Sequence, residues 1–301
     1  MADSMFRQDL LQGRTILVTG GGTGLGREIA TKYASLGATV WICGRRAAKL
    51  EETAAALSQA HPGKVRTHSV DIRDAAAVDA MVEAIWKEGP LTGLVNNAAA
   101  NFVSPTEAVS SRGFDAVANT VLHGTFYVTN AVGRRWIRDG LPGSIVSILT
   151  TWVRTGSPFA VPSAMAKTGL DAMTRSLAME WGRHHIRLNA IAPGVFPTEG
   201  MSGRLDPGGD STARGSRNAM GRVGRMEELQ NLATFLMADG CEWLTGETIA
   251  LDGAGHITYG AQFSSLFSLS SEDWERRRQL SRSLDAADRS ARTGPSGGAA
   301  E

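Results

Sequence analysis

Thr19-Gly20-Gly21-Gly22-Thr23-Gly24-Leu25-Gly26 decides the fold of this 301-residue chain. The stretch follows an apolar run, Thr15 to Thr19 (TILVT), and precedes a helical pattern over about Leu25 to Leu36. Glycine permits positive φ and close backbone approach to a pyrophosphate. The N-terminus of the following helix offers free N–H groups and a partial positive charge. A strand–turn–helix setting is what a dinucleotide motif requires. The spacing Gly20, Gly24, Gly26 is the looser TGxxxGxG form, not GxGxxG. Taken alone, such a cluster also fits a plain tight turn.

The same alternation continues outward. Strands are expected at Ala38 to Cys43, Val65 to Val70, Leu91 to Val95, Ser144 to Leu149, Ile186 to Ile191 and Thr248 to Leu251. Helical patterns fall between them: Ala47 to Gln59, Ala75 to Lys87, about Phe114 to Arg138, Ser163 to Arg183 and Met226 to Met237. Continuous apolar strands alternating with helices indicate α/β architecture. The expected fold is a single doubly wound, Rossmann-type, parallel seven-stranded sheet with helices on both faces. Residues 1–12 are expected to form a lead, 13–255 the α/β domain and 256–301 a C-terminal extension. In that extension Ser270 to Asp273 fits a capping box before a charged helix, Trp274 to about Asp288. A glycine- and arginine-rich loop, Gly200 to Gly224, interrupts the alternation.

Composition narrows the function classes. The chain holds 31 basic and 30 acidic side chains, a formal charge of +1, which gives no footprint for nucleic acid or an anionic membrane. Two cysteines, Cys43 and Cys241, exclude a disulfide framework and make no metal cluster. The start, MADSMFRQDLLQG, lacks a basic stretch followed by an apolar one. No run approaches the roughly 18 apolar residues of a membrane span. The expectation is a soluble, cytoplasmic protein with no metal.

The second strand sharpens the nucleotide reading. An acidic residue about 20 residues past the glycine turn normally meets a free ribose 2′-OH. Here the strand ends Cys43-Gly44-Arg45-Arg46, and the first acid after it is Glu51. Guanidinium forks at Arg45 and Arg46 suit a 2′-phosphate, so NADPH is expected over NADH.

Further motifs fall in order. Asp71-Ile72-Arg73 follows the third strand, Asn96-Asn97-Ala98-Ala99 the fourth, and Pro193-Gly194 with Thr198 the sixth, while Lys167 lies on the long helix. From about Gly13 to Gly253 the chain resembles the short-chain dehydrogenase/reductase family. That family places Tyr four residues before the Lys; this chain has Ser163 there. A serine hydroxyl is a far weaker acid than a phenol. Thr150 stands at the family's Ser, and Val121 at the Asn of its proton relay.

The departure selects a subgroup. Asn96 to Glu107 (NNAAANFVSPTE), the VPSAMAK block ending at Lys167, and Ser202 to Pro207 (SGRLDP) are similar to 2,4-dienoyl-CoA reductases, where SxxxK is the rule. The resemblance implies NADPH, an acyl-CoA substrate, and reduction of conjugated C=C bonds of the kind met in fatty acid β-oxidation. By position it implies cofactor contacts at Gly20, Thr23, Gly24, Leu25, Gly26, Arg45, Arg46, Asp71, Ile72, Asn97, Ala98, Lys167, Pro193, Gly194 and Thr198. It puts Asn101 on the thioester carbonyl, Lys167 and Ser163 at the nicotinamide ribose, and Phe102, Arg73 and Arg204 on the acyl-CoA. Mitochondrial-type members carry a Tyr 11 residues before the SxxxK serine; Trp152 stands here. An indole N–H donates a hydrogen bond but delivers no proton. Trp152 is therefore either a second donor to the thioester oxygen, with water supplying the proton, or a pocket wall. His123, one turn from a usual catalytic position, is an alternative acid.

Two other readings stay open: a carbonyl or alcohol oxidoreductase using another acid, such as a 3-oxoacyl reductase, and an NADP-binding protein without turnover. By analogy with the family the chain forms a homo-oligomer, a tetramer built on the two long helices.

Overall fold

The structure, a computed structural model, describes residues 6–61, 65–198, 218–258, 266 and 269–293. It divides into a unit from Met1 to His256 and a second from Ile257 to Glu301. The first unit contains seven strands: β1 (Thr15–Thr19), β2 (Thr39–Gly44), β3 (Val65–Ser69), β4 (Gly93–Asn96), β5 (Gly143–Ile148), β6 (Ile186–Pro193) and β7 (Thr248–Leu251). They form one sheet in the order β3-β2-β1-β4-β5-β6-β7, and every neighbouring pair is parallel. The order reverses between β1 and β4. In doubly wound sheets, ligands bind in the crevice outside the strand ends at that switch point.

Strand alternation builds two cores. Ile16 and Val18 of β1 join a cluster with Ile29, Tyr33 and Ala34 of α1 (Gly24–Ser35) and Leu229, Ala233 and Leu236 of α8 (Met226–Met237). Leu17, between them, faces the opposite side with helices α3 (Ala75–Glu88) and α5 (Gly124–Asp139). Tyr33 pins the first layer, its hydroxyl donating to Ala233 O at 2.8 Å. All eight residues of β6 are buried, as expected of a strand covered on both faces. Three tryptophans are core residues: Trp41, Trp136 and Trp181 pack in the second layer, whereas Trp243 is fully exposed.

Further helices are α2 (Ala47–Ala60), α4 (Ser111–Ala118), α6 (Trp152–Thr155) and α7 (Val161–Trp181), with a helical turn at Gly255–Thr258. Two expectations change. The helix expected over Phe114 to Arg138 is α4 and α5 joined by a π turn, Asn119–His123, where Gly124 N bonds back to Asn119 O. The sixth strand runs two residues beyond Ile191, to Pro193, because β7 continues pairing there (Pro193 opposite Leu251). Of the glycine- and arginine-rich loop, residues 200–217, with Arg204, Arg214, Arg217 and the SGRLDP stretch, lie outside the described residues, as does Tyr259. Residues 218–224 are described, and Gly224 N donates to Val195 O at 2.9 Å.

In the second unit the helix is longer than expected, Ser271–Thr293. Its start follows the sequence signal. Ser270 Oγ accepts from Asp273 N at 3.1 Å, and Ser270 N donates to Asp273 Oδ2 at 2.8 Å.

Candidate active site

The glycine turn lies over the switch point. Gly20 has φ +65°, and a Cβ there would lie 3.0 Å from Ala98 Cα. A Cβ on Gly26 would meet Asn97 Nδ2 at 2.3 Å and Gly20 O at 2.6 Å, so only glycine fits. The close approach is organised by Thr19. Its hydroxyl accepts from the N–H groups of Asn97 and Ala98, both at 3.0 Å, and lies 3.3 Å from Val95 O as donor. Asn97 Nδ2 returns to Thr19 O at 3.0 Å and Gly20 O at 3.3 Å. Asn97 thus shapes the cradle with its amide. Ala98 donates its N–H inside the same seam.

Helix α1 begins at Gly24, and the hydroxyl of its N-cap residue, Thr23, caps no N–H. The first-turn N–H groups of Gly24, Leu25 and Gly26 have no intrahelical acceptors. The Thr23 hydroxyl instead accepts from Arg46 Nη2 at 3.2 Å. Arg46 therefore joins the start of α2 to the glycine turn, and Arg45 beside it is exposed. Asp71 and Arg73, after β3, pair at 2.9 Å from Nε to Oδ1. That hydrogen bond, ahead of the charge itself, holds the Asp71 carboxyl below its usual range. Ile72 is buried against Gly124 of α5.

The chemical residues converge beyond the ends of β4 and β5. Ser163 and Lys167 are one turn apart on α7, and both are buried. Lys167 Nζ donates to Ile148 O, the last carbonyl of β5. Burial pushes the lysine pKa down to about 8. Thr150 and Trp152 follow β5 and are half-buried, as are Asn101 and Phe102 after β4. Val121 is fully buried with Val117, Leu149, Ala166 and Leu170, and Phe102 packs on this cluster. An apolar floor therefore occupies the place of a polar relay residue. His123 is exposed on the π turn, its ring 6.4 Å from that of Tyr127.

The wall beyond β6 and β7 is equally fixed. Gly194 N donates to Leu251 O at 2.9 Å, and a Cβ on Gly194 would meet Asp252 Cβ at 2.8 Å. Thr198 Cγ2 lies 4.0 Å from a Cβ built on Gly24, so this loop faces the start of α1. Asp252 Oδ2 takes the backbone N–H of His256 at 2.7 Å and pairs with its Nδ1 at 2.8 Å. His256 Nε2 lies 3.2 Å from Arg154 Nη1, and Arg154 Nη2 donates to Thr248 O at 2.6 Å. A guanidinium only donates, so Nε2 accepts and Nδ1 holds the proton directed at Asp252.

A glycine turn on a helix N-terminus at the switch point, with a buried lysine across from it, is a dinucleotide redox site in outline. The family model described as enoyl-(acyl carrier protein) reductase matches residues 20–256. The chain belongs to the short-chain dehydrogenase/reductase family. It is an oxidoreductase. It is similar to a Caenorhabditis elegans protein named a probable 2,4-dienoyl-CoA reductase, 41% identical over 92% of this chain and 92% of that one. A probable 2,4-dienoyl-CoA reductase of Bacillus subtilis is 38% identical over 81% of this chain and 96% of its own. Among solved structures, a short chain dehydrogenase from Bacillus anthracis superposes with a TM-score of 0.76 at 37% identity, covering 82% of this chain and 98% of that one.

As a short-chain dehydrogenase/reductase, the chain carries the described candidate residues at the end of β6, on the segments that follow β1 to β6 and on α7, with Arg204 outside the described residues. Three contributors escaped the sequence reading as site residues: the Thr19 hydroxyl, the Asp252–His256–Arg154 chain, and Thr53. The last donates to Gly22 O at 2.9 Å from within α2, fixing the glycine turn from below. Thr19 belongs to the glycine motif and was within reach; the others are joined to their partners only by folding. Among the described residues no group of three metal-ligating side chains forms, and no helix is long and apolar enough to cross a membrane.

Proposed function

We propose that this chain is an NADPH-dependent reductase of conjugated enoyl thioesters, acting as a 2,4-dienoyl-CoA reductase. The observation that supports this most is the pair Ser163 and Lys167. The lysine is buried and anchored on Ile148 O, yet the hydroxyl one turn away is no phenol. A ketone reductase needs an acid able to give up a proton to an alkoxide. An enoyl thioester needs instead fixed donors on the thioester oxygen, with protonation at carbon left to water. The named relatives point the same way.

The residues present fit the cofactor. The cradle under Gly26 admits no Cβ, and the Arg46 guanidinium reaches the glycine turn at the Thr23 hydroxyl, beside the exposed Arg45. The N–H groups of Gly24, Leu25 and Gly26, with Gly20 and Thr23, would hold the pyrophosphate. Arg45 and Arg46 would hold the 2′-phosphate, and Asp71, Ile72, Asn97 and Ala98 would flank the adenine half. Pro193, Gly194 and Thr198 would flank the nicotinamide half, with Lys167 at its ribose. When bound, NADPH supplies a hydride.

The chain's own groups do the rest. Asn101 donates its amide N–H to the thioester oxygen and stabilises charge there, with the Trp152 indole N–H as a second donor. Lys167 keeps positive charge beneath them, and Ser163 and Thr150 orient neighbouring hydroxyls. Phe102 and Arg73 contact the acyl-CoA, and the family pattern adds Arg204. The division into residues 13–255 for this chemistry and 256–301 as an extension belongs to the same reading, as does a cytoplasmic location. A homotetramer on α5 and α7 is supported by the exposed Phe126, Met165 and Met179 on those helices.

The test follows NADPH absorbance with a 2,4-dienoyl-CoA, a 3-oxoacyl-CoA and a simple ketone. Consumption with the dienoyl thioester alone is expected. Consumption with a carbonyl substrate alone, or tight NADPH binding with no consumption, refutes the reading. Removing one such oxyanion donor costs about 2.7–4 kcal/mol of barrier, so Asn101→Ala lowers dienoyl-CoA turnover by roughly 100-fold or more.

A further inference from the structure

We propose that Phe159 is a specificity-determining residue, held out at the mouth of the site to contact the apolar chain of the thioester. The inference rests on the enoyl-thioester reading above and adds to it a residue that no motif marks.

Its basis is backbone strain at an exposed aromatic. Among the described residues, Phe159, His185 and Ala254 alone are non-glycine residues with positive φ. His185 closes a short helical turn, and Ala254 lies in the turn leading into a helix, where left-handed backbone is usual. Phe159 has φ +63° ahead of α7, where a bulky aromatic is poorly suited to that conformation. Strain of this kind persists only where another requirement offsets it. Packing does not provide that requirement, because Phe159 is 56% exposed.

Position supplies it. Gly156, with φ +70°, and Pro158 turn the chain outward, and the next residue, Ala160, is buried. Ser163 follows within one turn. Phe159 O accepts from Ser104 N at 2.9 Å, which sews this strained residue to the segment bearing Asn101 and Phe102. Val103, beside that seam, is 50% exposed. The seam thus bears two exposed apolar side chains, and the helix it leads into carries the buried polar residues Ser163 and Lys167 within its first two turns. That arrangement matches a ligand whose polar head reacts inside and whose hydrocarbon chain leaves across the seam.

The inference separates ligand contact from fold maintenance. Phe159→Gly relieves the left-handed strain and removes the ring; Phe159→Ala removes the ring and keeps the strain. Both variants are compared with wild type for melting temperature, and for kcat/KM on 2,4-dienoyl-CoA substrates of 6 and 12 carbons. The expected result is a melting temperature for Phe159→Gly at or above that of Phe159→Ala. The 12-carbon to 6-carbon ratio of kcat/KM is expected to fall at least fivefold in both variants, through KM. An unchanged ratio, or a loss equal at both lengths, overturns the inference. So does a shift in oligomeric state without a change in the ratio, which would assign the ring to a subunit contact. Wild type inactive on every dienoyl-CoA would refute the enoyl-thioester reading itself, and that outcome is read before any variant is compared.

Discussion

Lys167 is the site residue whose burial has the largest calculable consequence. Its side chain is held at a pKa of about 8 against 10.5 for an ordinary lysine, and burial is the cause. At about 1.36 kcal/mol per tenfold step, keeping that ammonium charged inside the fold costs about 3 kcal/mol near pH 7. Between about 8 and 10.5 the folded lysine has lost its proton while the unfolded one keeps it. The unfolded state then binds more protons, so this group's contribution to stability rises with pH across that window. By about pH 9.5 the cost has fallen to about 1 kcal/mol.

Lys167→Met removes the charge and keeps the length. The hydrogen bond from the ammonium to Ile148 O is lost as well, worth about 1.5–3 kcal/mol for a charged group. The variant without cofactor is therefore expected to be more stable than wild type by about 1 kcal/mol near pH 7, and inactive. The difference should move by about 2 kcal/mol in favour of wild type between pH 7 and pH 9.5. Urea denaturation of both proteins at the two pH values measures this directly. A difference that does not move with pH would falsify the claim that the ammonium is buried at a cost. A variant less stable than wild type at pH 7 would show that the hydrogen bond outweighs desolvation.

Arg46→Gln should weaken NADPH binding by roughly tenfold or more, since hydrogen bonds to charged groups are worth about 1.5–3 kcal/mol. NADH binding should hold; equal losses for both cofactors in a fluorescence titration would remove Arg46 from the 2′-phosphate. Thr19→Val keeps shape but takes the acceptor from the N–H groups of Asn97 and Ala98. Two donors left unpaired should cost about 2 kcal/mol or more, read by urea denaturation. Glu228 is held at a pKa of about 2, first by its hydrogen bond from Arg222. A depressed carboxylate stabilises above its ordinary value, near 4.5, and that stability drains away as pH falls toward 2. Glu228→Gln should accordingly be less stable than wild type at neutral pH, with the gap closing in acid; a constant gap would discard the linkage.

How much of this was legible in the sequence depends on the distance over which each signal acts. The glycine turn, the Arg45-Arg46 pair, the Ser163–Lys167 spacing and the Ser270–Asp273 capping box are local patterns. Each is read from neighbouring residues alone, and each lies on the element its pattern indicates: the turn before α1, the start of α2, one turn of α7 and the start of the helix Ser271–Thr293. Thr19 shows the limit. Its hydroxyl holds backbone 78 residues away, yet a threonine ending a strand looks the same whether or not it bridges two loops. Asp252, His256 and Arg154 join across about 100 residues, and no periodicity records that. Asn97 was legible as a site residue but not in its role, because an amide motif does not say which way the amide faces. The strain at Phe159 has no sequence signature, since Pro-Phe is compatible with many backbones.

The chain joining Arg154 to β7 has a bearing on solubility. Ala190 N takes Glu247 O and Gly194 N takes Leu251 O, so the odd-numbered carbonyls of β7 face inward to β6. The carbonyl of Thr248 consequently faces away from the sheet, on the border strand. An unprotected border strand is a template on which a foreign strand can add, and charge along it discourages that. Arg154 fills the Thr248 carbonyl and places a permanent cation on the same border. Among the described residues no strand pairs on that border, and the residue that fastens the segment after β5 occupies one of its outward carbonyls with a charged group, in a direction that backbone pairing alone would leave open.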